Sequence, residues 1–589
     1  MIGILTCLGI ISLFMGSNKG KLTSGRFVNN GDKLNANKAA LKQIEIVKKG
    51  KCNPCTLWAG TPQYLIPKYP KLSSTIQTLL GSLPTLWIPY ANRGILVIGA
   101  PGSGKTFSVI DRLIESAFKQ GIPVLLYDKK GDQMKQHSAT ATRYGYNVNI
   151  FAPGEKYSGT INLLDFMESA QDATMAGEIA QTIISNAPGA KNSKGDSFFQ
   201  KNGETLAKGL LQLAKNSKYP DIGMVYAIAR LPDFIKRLHY AVYREDEQKL
   251  DSWIASTFST FLASKDAEKT VAGIKATAET TFTSFIQKDL LRSFIGKSTI
   301  PIYQNRKQLI VFKLDDRRRS VLTPLIAACI HLVITNNLAD KRTSPFLVSL
   351  DEFPSLYLEK ITNYVNEYRS NGGIFTIGIQ SLTQLEEAYG DKLSRSIAAG
   401  LSTHFLFNPG DIRTAEDYSK KFGEEEILIK SRSKGRSMGQ HGSRSINISE
   451  SLQKKPLLPT DQILRFPQGT CVMTSPAYGN KQEALFPYKL RINIPKKDIK
   501  RASESESLWE NSIEKQISNR IQKEMDRQGN SGDTDWITNQ LNLRIEEAFR
   551  LLPLPDEEQQ TTSNNNTTGK GNLIDELRAQ NKTMLEKQD

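Results

Sequence analysis

Short runs of apolar residues alternate with longer amphipathic segments through the middle of the chain. The runs lie at residues 94–98, 123–127 and 148–151, and they return at 309–314, 346–350, 374–379 and 404–407. They are rich in Val, Ile and Leu and lack regular alternation with polar residues, as expected for strands that are buried on both faces of a parallel sheet. The segments between them have helical patterns. This arrangement predicts an α/β fold built around a parallel sheet.

The pattern changes between residues 169 and 297, where long helical segments occur with few β-branched runs. We interpret 169–297 as an inserted all-α domain that divides the α/β domain into a first part, 85–168, and a second part, 298–495. Beyond residue 496 the chain is polar and rich in Gln, Asn, Ser and Thr, with a low-complexity stretch at 561–568. This composition predicts a polar C-terminal tail over 496–589 that is disordered or weakly helical.

The N-terminus has its own character. Residues 1–18 contain no charged side chain, and 2–15 are almost wholly apolar, which predicts a short N-terminal transmembrane anchor. A cleaved signal peptide is the alternative, but a basic segment before the apolar run and a small-residue cleavage site are both missing. The basic residues follow the apolar run instead, so residues 19–84 are expected to form a juxtamembrane linker on the cytoplasmic side.

Length and charge narrow the possible functions. A chain of 589 residues is expected to form two or three folded units. Its 77 Lys and Arg residues against 60 Asp and Glu give a formal charge of +17, which favours a polyanionic partner such as nucleic acid or an anionic membrane surface. Five scattered cysteines do not suggest a disulfide framework.

One eight-residue string carries the strongest chemical signal. It follows the apolar run at 94–98 and opens a helical pattern, as a phosphate-binding loop does. Glycines let backbone N–H groups converge on phosphate oxygens, and the helix that follows adds its positive end. We therefore predict binding of a nucleoside triphosphate with Mg²⁺, with Lys105 on the β- and γ-phosphates and Thr106 on the metal. The string comprises Gly99, Ala100, Pro101, Gly102, Ser103, Gly104, Lys105 and Thr106.

An acidic pair supplies the other half of a hydrolytic site. Asp351 and Glu352 follow the apolar run at 346–350. We predict that Asp351 holds Mg²⁺ and that Glu352 orients and activates the attacking water. Asp128 also ends a predicted strand, and either a place near the nucleotide or a role in the turn would explain it.

Two further residues near a later strand are candidates for contact with the γ-phosphate. Gln380 ends the apolar run at 374–379, and Arg369 precedes that run. Gln380 could sense the γ-phosphate of its own subunit. Arg369 could reach that of a neighbouring subunit as an arginine finger, and a solvated arginine without this role is the alternative.

Basic clusters suggest where nucleic acid could bind. An acid-free segment rich in Ser and Gly is predicted to be a loop that tracks phosphates, with a flexible solvated loop as the alternative. Its basic residues are Lys430, Arg432, Lys434, Arg436 and Arg444. A second basic cluster, just past a strand, comprises Lys313 and Arg317, Arg318 and Arg319.

Taken together, these motifs resemble the TraG/TraD family of type IV coupling proteins. The resemblance covers residues 85–495. Besides the phosphate-binding loop it depends on the segments 351–353, 378–385, 411–419 and 455–464. It implies a RecA-like P-loop NTPase domain that binds ATP with Mg²⁺ and assembles as a homo-hexamer, with the helical domain at the mouth of the channel. The family usually has two transmembrane helices, whereas this sequence offers one marginal span.

The resemblance also implies a cellular role. The preferred hypothesis is an ATPase of the bacterial inner membrane, with most of the chain in the cytoplasm, that couples a relaxase and its single-stranded DNA to a type IV secretion channel. Its partners would then include the channel ATPases and inner-membrane components. One alternative is a nucleotide-gated receptor platform that selects protein cargo, and another is a DNA translocase unrelated to secretion.

Overall fold

A computed structural model of the chain shows a large α/β domain, a helical insertion and terminal segments that pack against both. The predicted anchor at residues 1–18 lies outside the described residues. The structure describes residues 25–60, 86–187, 197–247, 249–263, 268–436, 444–479, 483–492, 494, 496–529, 534–555, 575–580 and 583.

A nine-stranded sheet forms the centre of the α/β domain, in the order β13-β12-β9-β3-β8-β7-β4-β6-β5. The seven strands β3 to β9 are parallel, whereas β12 and β13 add an antiparallel edge. The bounds are β3 Ile95–Ile98, β4 Val124–Asp128, β5 Asn147–Phe151, β6 Gln308–Lys313, β7 Phe346–Leu350, β8 Gly373–Ile379, β9 Thr403–Leu406, β12 Thr470–Thr474 and β13 Tyr488–Arg491. All seven parallel strands match the apolar runs to within one residue.

Both faces of the sheet are buried, which explains why these strands are apolar without alternation. In β3, Leu96 and Ile98 belong to the core on one face, while Ile95 and Val97 belong to the core on the other. Successive side chains of a strand point to opposite faces, so each face needs its own apolar set.

Helices cover the two faces and fill the connections between strands. Their bounds are α2 Asp111–Gln120, α3 Asp132–Arg143, α12 Arg319–Leu338, α13 Ile361–Asn366, α14 Leu382–Tyr389, α15 Asp391–Gly400, α16 Ile412–Phe422 and α17 Thr460–Leu464. Among the described helices, the segment Asp316–Leu338 is long and apolar enough to cross a membrane, but 78% of its most apolar stretch is buried inside the fold. Helix α12 is thus a core helix of the α/β domain.

The chain between β5 and β6 forms the helical insertion. Every regular element among its described residues between 169 and 297 is a helix. These are α4 Ala173–Asn186, α5 Ser197–Lys215, α6 Ile222–Ala229, α7 Phe234–Tyr243, α8 Ser252–Thr257, α9 Ser259–Ala263, α10 Glu268–Ser284 and α11 Lys288–Leu291. The exact domain boundaries stay a prediction.

The segment predicted as a juxtamembrane linker, 19–84, is folded where the structure describes it, so that prediction was wrong for residues 25–60. Helix α1, Asn30–Lys48, begins with a capping box between Asn29 and Asp32. Ala40 and Ile44 of α1 pack with two tryptophans of a two-stranded antiparallel sheet, β1 Thr56–Ala59 and β2 Leu86–Pro89. A single apolar stripe on a polar helix is easily mistaken for a linker.

The C-terminal segment also differs from its prediction of disorder or weak helicity over 496–589. Helix α18, Lys496–Leu508, continues through a π-helical turn at Trp509–Ile513 into α19, Glu514–Arg527, and α20 covers Thr534–Leu551. We call these helices the C-terminal strap. Trp509, Ile513, Ile517, Ile521 and Met525 recur every fourth residue and pack into the core on one sheet face. The other residues of these helices are polar, so the average composition of the segment is polar despite this apolar stripe.

A long hairpin lies between α16 and α17. Strands β10, Glu424–Arg436, and β11, Arg444–Pro456, pair antiparallel along their whole length. The basic segment predicted as a loop therefore lies largely in strands, and this correction concerns its backbone. Its predicted contact with DNA phosphates stays a prediction.

Candidate nucleotide site

The phosphate-binding loop joins the end of β3 to α2 through a tightly crowded turn. Gly104 has a φ of +93°, and a Cβ atom there would approach the backbone nitrogen of Gly469 to 3.1 Å. A Cβ on Gly99 would lie 2.4 Å from Ser103 Oγ. Side chains at these two positions would force the loop open, so the glycines are required by the local geometry.

Lys105 and Thr106 stand at the start of the helix that follows the loop. The Lys105 side chain is buried, and its Nζ lies 3.3 Å from Glu352 Oε1. The hydroxyl of Thr106 donates a hydrogen bond of 2.7 Å to Asp351 Oδ2. The first turn, Thr106–Ile110, is π-helical before α2 begins, an irregularity that occurs frequently at functional sites.

The acidic pair is held at the carboxyl end of β7. Asp351 Oδ1 accepts a hydrogen bond of 2.9 Å from the backbone N–H of Glu352. Glu352 itself adopts a left-handed backbone conformation with a φ of +53°. Such strain in a residue other than glycine persists only where the surroundings impose it, and it clusters at functional sites.

The two carboxyl groups have opposite pKa shifts. Burial raises the pKa of Asp351, because the charge of Lys105 and the hydrogen bond from Thr106 offset only part of the lost solvation. Burial acts on Glu352 as well, but the charge of Lys105 and the hydrogen bond from Gln380 outweigh it and lower the pKa of Glu352. Glu352 is therefore ionised at neutral pH, as a group that accepts a proton must be.

Gln380 joins the same cluster from β8. Its Nε2 donates a hydrogen bond of 3.0 Å to Glu352 Oε2. Strand β8 lies between β3 and β7 in the sheet, so its carboxyl end opens between the phosphate-binding loop and the acidic pair. Gly378 lies two residues before Gln380, and a Cβ atom there would lie 2.3 Å from Asp351 Oδ1. The close packing of β8 against β7 thus depends on that glycine.

Arg369 is the one predicted site residue that the structure does not bring to this cluster. It is exposed in the turn that precedes β8, at the opposite end of the strand from Gln380. Its carbonyl oxygen accepts a hydrogen bond of 2.7 Å from Asn53 Nδ2. Contact with a neighbouring subunit's nucleotide stays a prediction.

A cavity of about 280 Å³ opens beside these side chains. Its volume suits a small polar ligand held at its phosphates. Besides the loop, Lys105, Thr106 and the acidic pair, it is lined by residues that the sequence did not single out as site residues. These include Phe107, Lys130, Gln133 and Gln468.

Asp128 serves the turn after β4 and also borders the cavity. Its carboxylate accepts hydrogen bonds from the backbone N–H groups of Lys130, at 2.9 Å, and Met134, at 2.7 Å. Burial raises the pKa of Asp128, although these backbone donors oppose the shift. Both roles proposed for Asp128 from the sequence are therefore compatible with its position.

The second basic cluster is largely neutralised. Lys313 Nζ lies 2.7 Å from Glu155 Oε1, and Arg318 Nη2 lies 2.7 Å from Asp289 Oδ2. Arg317 pairs with Asp315 at 3.3 Å. These contacts leave less free positive charge for a polyanion than the sequence suggested.

Comparison with known proteins places the chain in a family. The model of the type IV secretion-system coupling protein DNA-binding domain matches residues 77–480. Coupling protein TraD of Escherichia coli (strain K12) is 24% identical over 388 residues, which cover 64% of this chain and 50% of TraD. The chain thus spans about half the length of that curated relative.

Solved structures agree on the fold. The unbound bacterial conjugative coupling protein TrwBdeltaN70 matches with a TM-score of 0.50 and 16% identity, covering 69% of this chain and 86% of that one. The plasmid coupling protein TrwB in complex with ADP and Mg²⁺ matches with a TM-score of 0.51, 16% identity and the same coverage. These likenesses and the sheet order confirm the predicted RecA-like α/β fold.

Proposed function

Because this chain belongs to the type IV secretion-system coupling protein family, we propose that it is an ATPase that couples DNA substrates to a type IV secretion channel. The observation that carries the enzymatic part is the convergence of Lys105, Thr106, Asp351 and Glu352 on one cavity, with Gln380 hydrogen-bonded to Glu352. These side chains come from three neighbouring strand ends and make direct contacts with one another.

The residues of the site suit ATP with Mg²⁺. Thr106 and Asp351 present two oxygen atoms 2.7 Å apart, and oxygen ligands are those that Mg²⁺ prefers. They would hold the metal, which supplies neutralising charge to the β- and γ-phosphates when bound. The solved complexes of the related TrwB with ADP and Mg²⁺ and with an ATP analogue support this choice of ligand.

The side chains then divide the work of hydrolysis. Lys105 leaves its contact with Glu352 to bind the phosphates, where its charge stabilises the transition state. Glu352, freed from Lys105 and still bonded to Gln380, orients a water for in-line attack on the γ-phosphate and accepts its proton. Gln380 reports the presence of the γ-phosphate to β8 through the same hydrogen bond.

We further propose the cellular setting that the family suggests. The chain assembles as a homo-hexamer at the bacterial inner membrane, anchored by its N-terminal segment. It receives a relaxase with single-stranded DNA on the cytoplasmic side and passes the DNA to the channel ATPases and inner-membrane components. The formal charge of +17 supports a polyanionic substrate.

Substitution of Glu352 by Gln tests the motor in the full-length protein. Since the amide cannot accept the proton, we expect ATP turnover to fall by about 10²–10⁴-fold while binding of ADP with Mg²⁺ persists. Conjugative DNA transfer in cells should stop. The matched control is Glu387→Gln on the exposed face of α14, which should change neither activity.

Two outcomes would favour the alternatives. Continued DNA transfer by Glu352→Gln, despite lost turnover, would indicate a nucleotide-gated receptor platform. Normal turnover without crosslinking of the chain to a relaxase or channel component in cells would indicate a translocase unrelated to secretion.

A further inference from the structure

Lys105 is the one cationic side chain assigned so far to the phosphates of the site, beside the metal that Thr106 and Asp351 would hold. Phosphoryl-transfer enzymes commonly add a second cation, in cis or from a neighbouring subunit, to stabilise charge on the γ-phosphate. Within its own chain Arg369 lies at the other end of β8, far from the cavity. A second cation in cis must therefore come from a different element.

The turn between β4 and α3 is built to present a side chain at the cavity. Asp128 accepts the N–H groups of Lys130 and Met134, which fixes the backbone at both sides of the turn. Gly131 has a φ of +91°, and the Lys313 side chain covers it so closely that an added Cβ would lie 3.3 Å from Lys313 Cε. The turn has little freedom to place Lys130 elsewhere.

The two lysines of this turn, Lys129 and Lys130, lie near residues that follow two different neighbouring strands. Strand β4 lies between β6 and β7. Lys129 Nζ lies 3.6 Å from Asp316 Oδ1, beyond the end of β6. Lys130 lines the same cavity as Lys105 and Glu352, which follows β7, and its positive charge helps to lower the pKa of Glu352.

Lys130 is exposed, and among the residues that the structure describes it forms no salt bridge. Its ammonium group is therefore available for a ligand, at the end of a long flexible stem. Glu352 must stand beside the γ-phosphate to orient water there. Because Lys130 lines the cavity together with Glu352 and its charge acts on that carboxylate, we expect its ammonium group to meet the γ-phosphate rather than the phosphates cradled by the loop.

We propose that Lys130 is a second cation of the phosphate site and contacts the γ-phosphate of a bound nucleoside triphosphate. This assignment rests on the proposed function of the site and names a residue that discriminates triphosphate from diphosphate. Lys105 binds both forms through the β-phosphate, whereas Lys130 binds only the form that carries a γ-phosphate.

The test compares two nucleotides in the full-length protein. Lys130→Ala should weaken binding of a non-hydrolysable ATP analogue with Mg²⁺ about tenfold, as expected for one lost hydrogen bond between charged groups, and leave ADP affinity within about twofold. Lys130→Arg should restore the preference for the triphosphate. Lys135→Ala is the charge-matched control, because Lys135 lies in α3 and pairs with Glu506 and Glu510.

Each outcome separates this assignment from the function on which it rests. If Lys130→Ala weakens both nucleotides equally, or neither, Lys130 does not contact the γ-phosphate while the ATPase proposal stands. If the parent chain binds neither nucleotide, the proposed function fails and the assignment fails with it. An unchanged thermal-unfolding midpoint shows that the variants are folded.

Discussion

Asp351 and Asp221 are both almost excluded from solvent, at 6% and 1% exposure, yet their surroundings differ in kind. Asp221 caps α6 by accepting the N–H of Met224 at 3.2 Å, and it also accepts the N–H of Gly296 at 3.1 Å. Arg544 donates to both of its oxygens, with Nε at 2.9 Å from Oδ1. Each oxygen of the Asp221 carboxylate therefore accepts hydrogen bonds from a backbone N–H group and from Arg544.

Asp351 is supplied with fewer donors. It accepts one hydroxyl and one backbone N–H, while the nearby ammonium of Lys105 is in contact with Glu352. It also borders an open cavity. Two kinds of buried acid can thus be told apart. A fully hydrogen-bonded carboxylate stabilises the fold, and a partly hydrogen-bonded carboxylate beside a cavity is a candidate to bind a charged ligand.

The partner of Asp221 comes from the C-terminal strap. Arg544 lies in α20, beyond the residues that the family model matches. Helices α18 and α19 of the strap pack on the α/β domain, and α20 packs on the helical insertion through residues such as Leu541 and Phe549. The ion pair therefore helps to hold α20 on the helical insertion.

The largest expected effect is on stability. Asp221→Asn keeps the cap of α6 but leaves the buried guanidinium of Arg544 without its counter-charge, so we expect the free energy of unfolding to fall by about 3–5 kcal/mol. Urea denaturation of the full-length protein measures it. The control is Glu45→Gln, whose ion pair with Lys48 is exposed and should contribute less than about 1 kcal/mol. Equal losses in the two variants would contradict the comparison.

Asp351→Asn should weaken ligand binding and spare stability, the reverse of what we expect for Asp221→Asn. Asp351→Asn removes a charge that burial disfavours, so the melting temperature without nucleotide should stay level or rise. Binding of ADP with Mg²⁺ should weaken by about 10–100-fold, as for other changes around a metal. Titration calorimetry with and without EDTA measures this. A large fall in melting temperature would show that Asp351 holds the fold as Asp221 does.

Gly378→Ala tests whether the position of Asp351 matters as much as its charge. The new Cβ would lie 2.3 Å from Asp351 Oδ1, so the carboxylate must move from the position in which it accepts the Thr106 hydrogen bond. We expect affinity for ADP with Mg²⁺ to fall by about tenfold. Gly177→Ala in α4 is the control, since its Cβ would meet Lys208 Cδ at an ordinary 3.8 Å. Unchanged affinity in Gly378→Ala would mean that the site tolerates a displaced carboxylate.

The smallest effect is the pH dependence of stability. Because the folded pKa of Asp351 is raised above its ordinary value of 3.8, the ionised carboxylate destabilises the folded state as pH rises above 3.8. The advantage of Asp351→Asn in melting temperature should therefore be full at neutral pH and vanish below about pH 3.8. Glu352 has a lowered pKa, so its contribution to stability has the reverse sign and is lost on acidification. An advantage of Asp351→Asn that does not change with pH would contradict this account.

Much of the α/β domain could be predicted because its signals are local. Strands such as β3 and β7 are continuous apolar runs, and the phosphate-binding loop is a contiguous string. The strands β12 and β13 were not predicted. Strand β13 is the edge strand and alternates half-buried with exposed residues, so it lacks a continuous apolar run. Helix α1 and the C-terminal strap were misjudged because their apolar residues form one narrow stripe in a polar background.

The sequence by itself determined which residues are candidates for binding phosphate and which carboxylates could activate water, because the chemistry of these groups is a property of the residues and of their place at strand ends. Only the tertiary structure decided that β8 lies between β3 and β7. It also decided that Lys129 pairs with Asp316 whereas Lys130 lines the cavity, and that Asp221 pairs with the distant Arg544. Strand order and long-range pairing arise from packing between distant segments, and no local pattern encodes which of several compatible partners a segment meets.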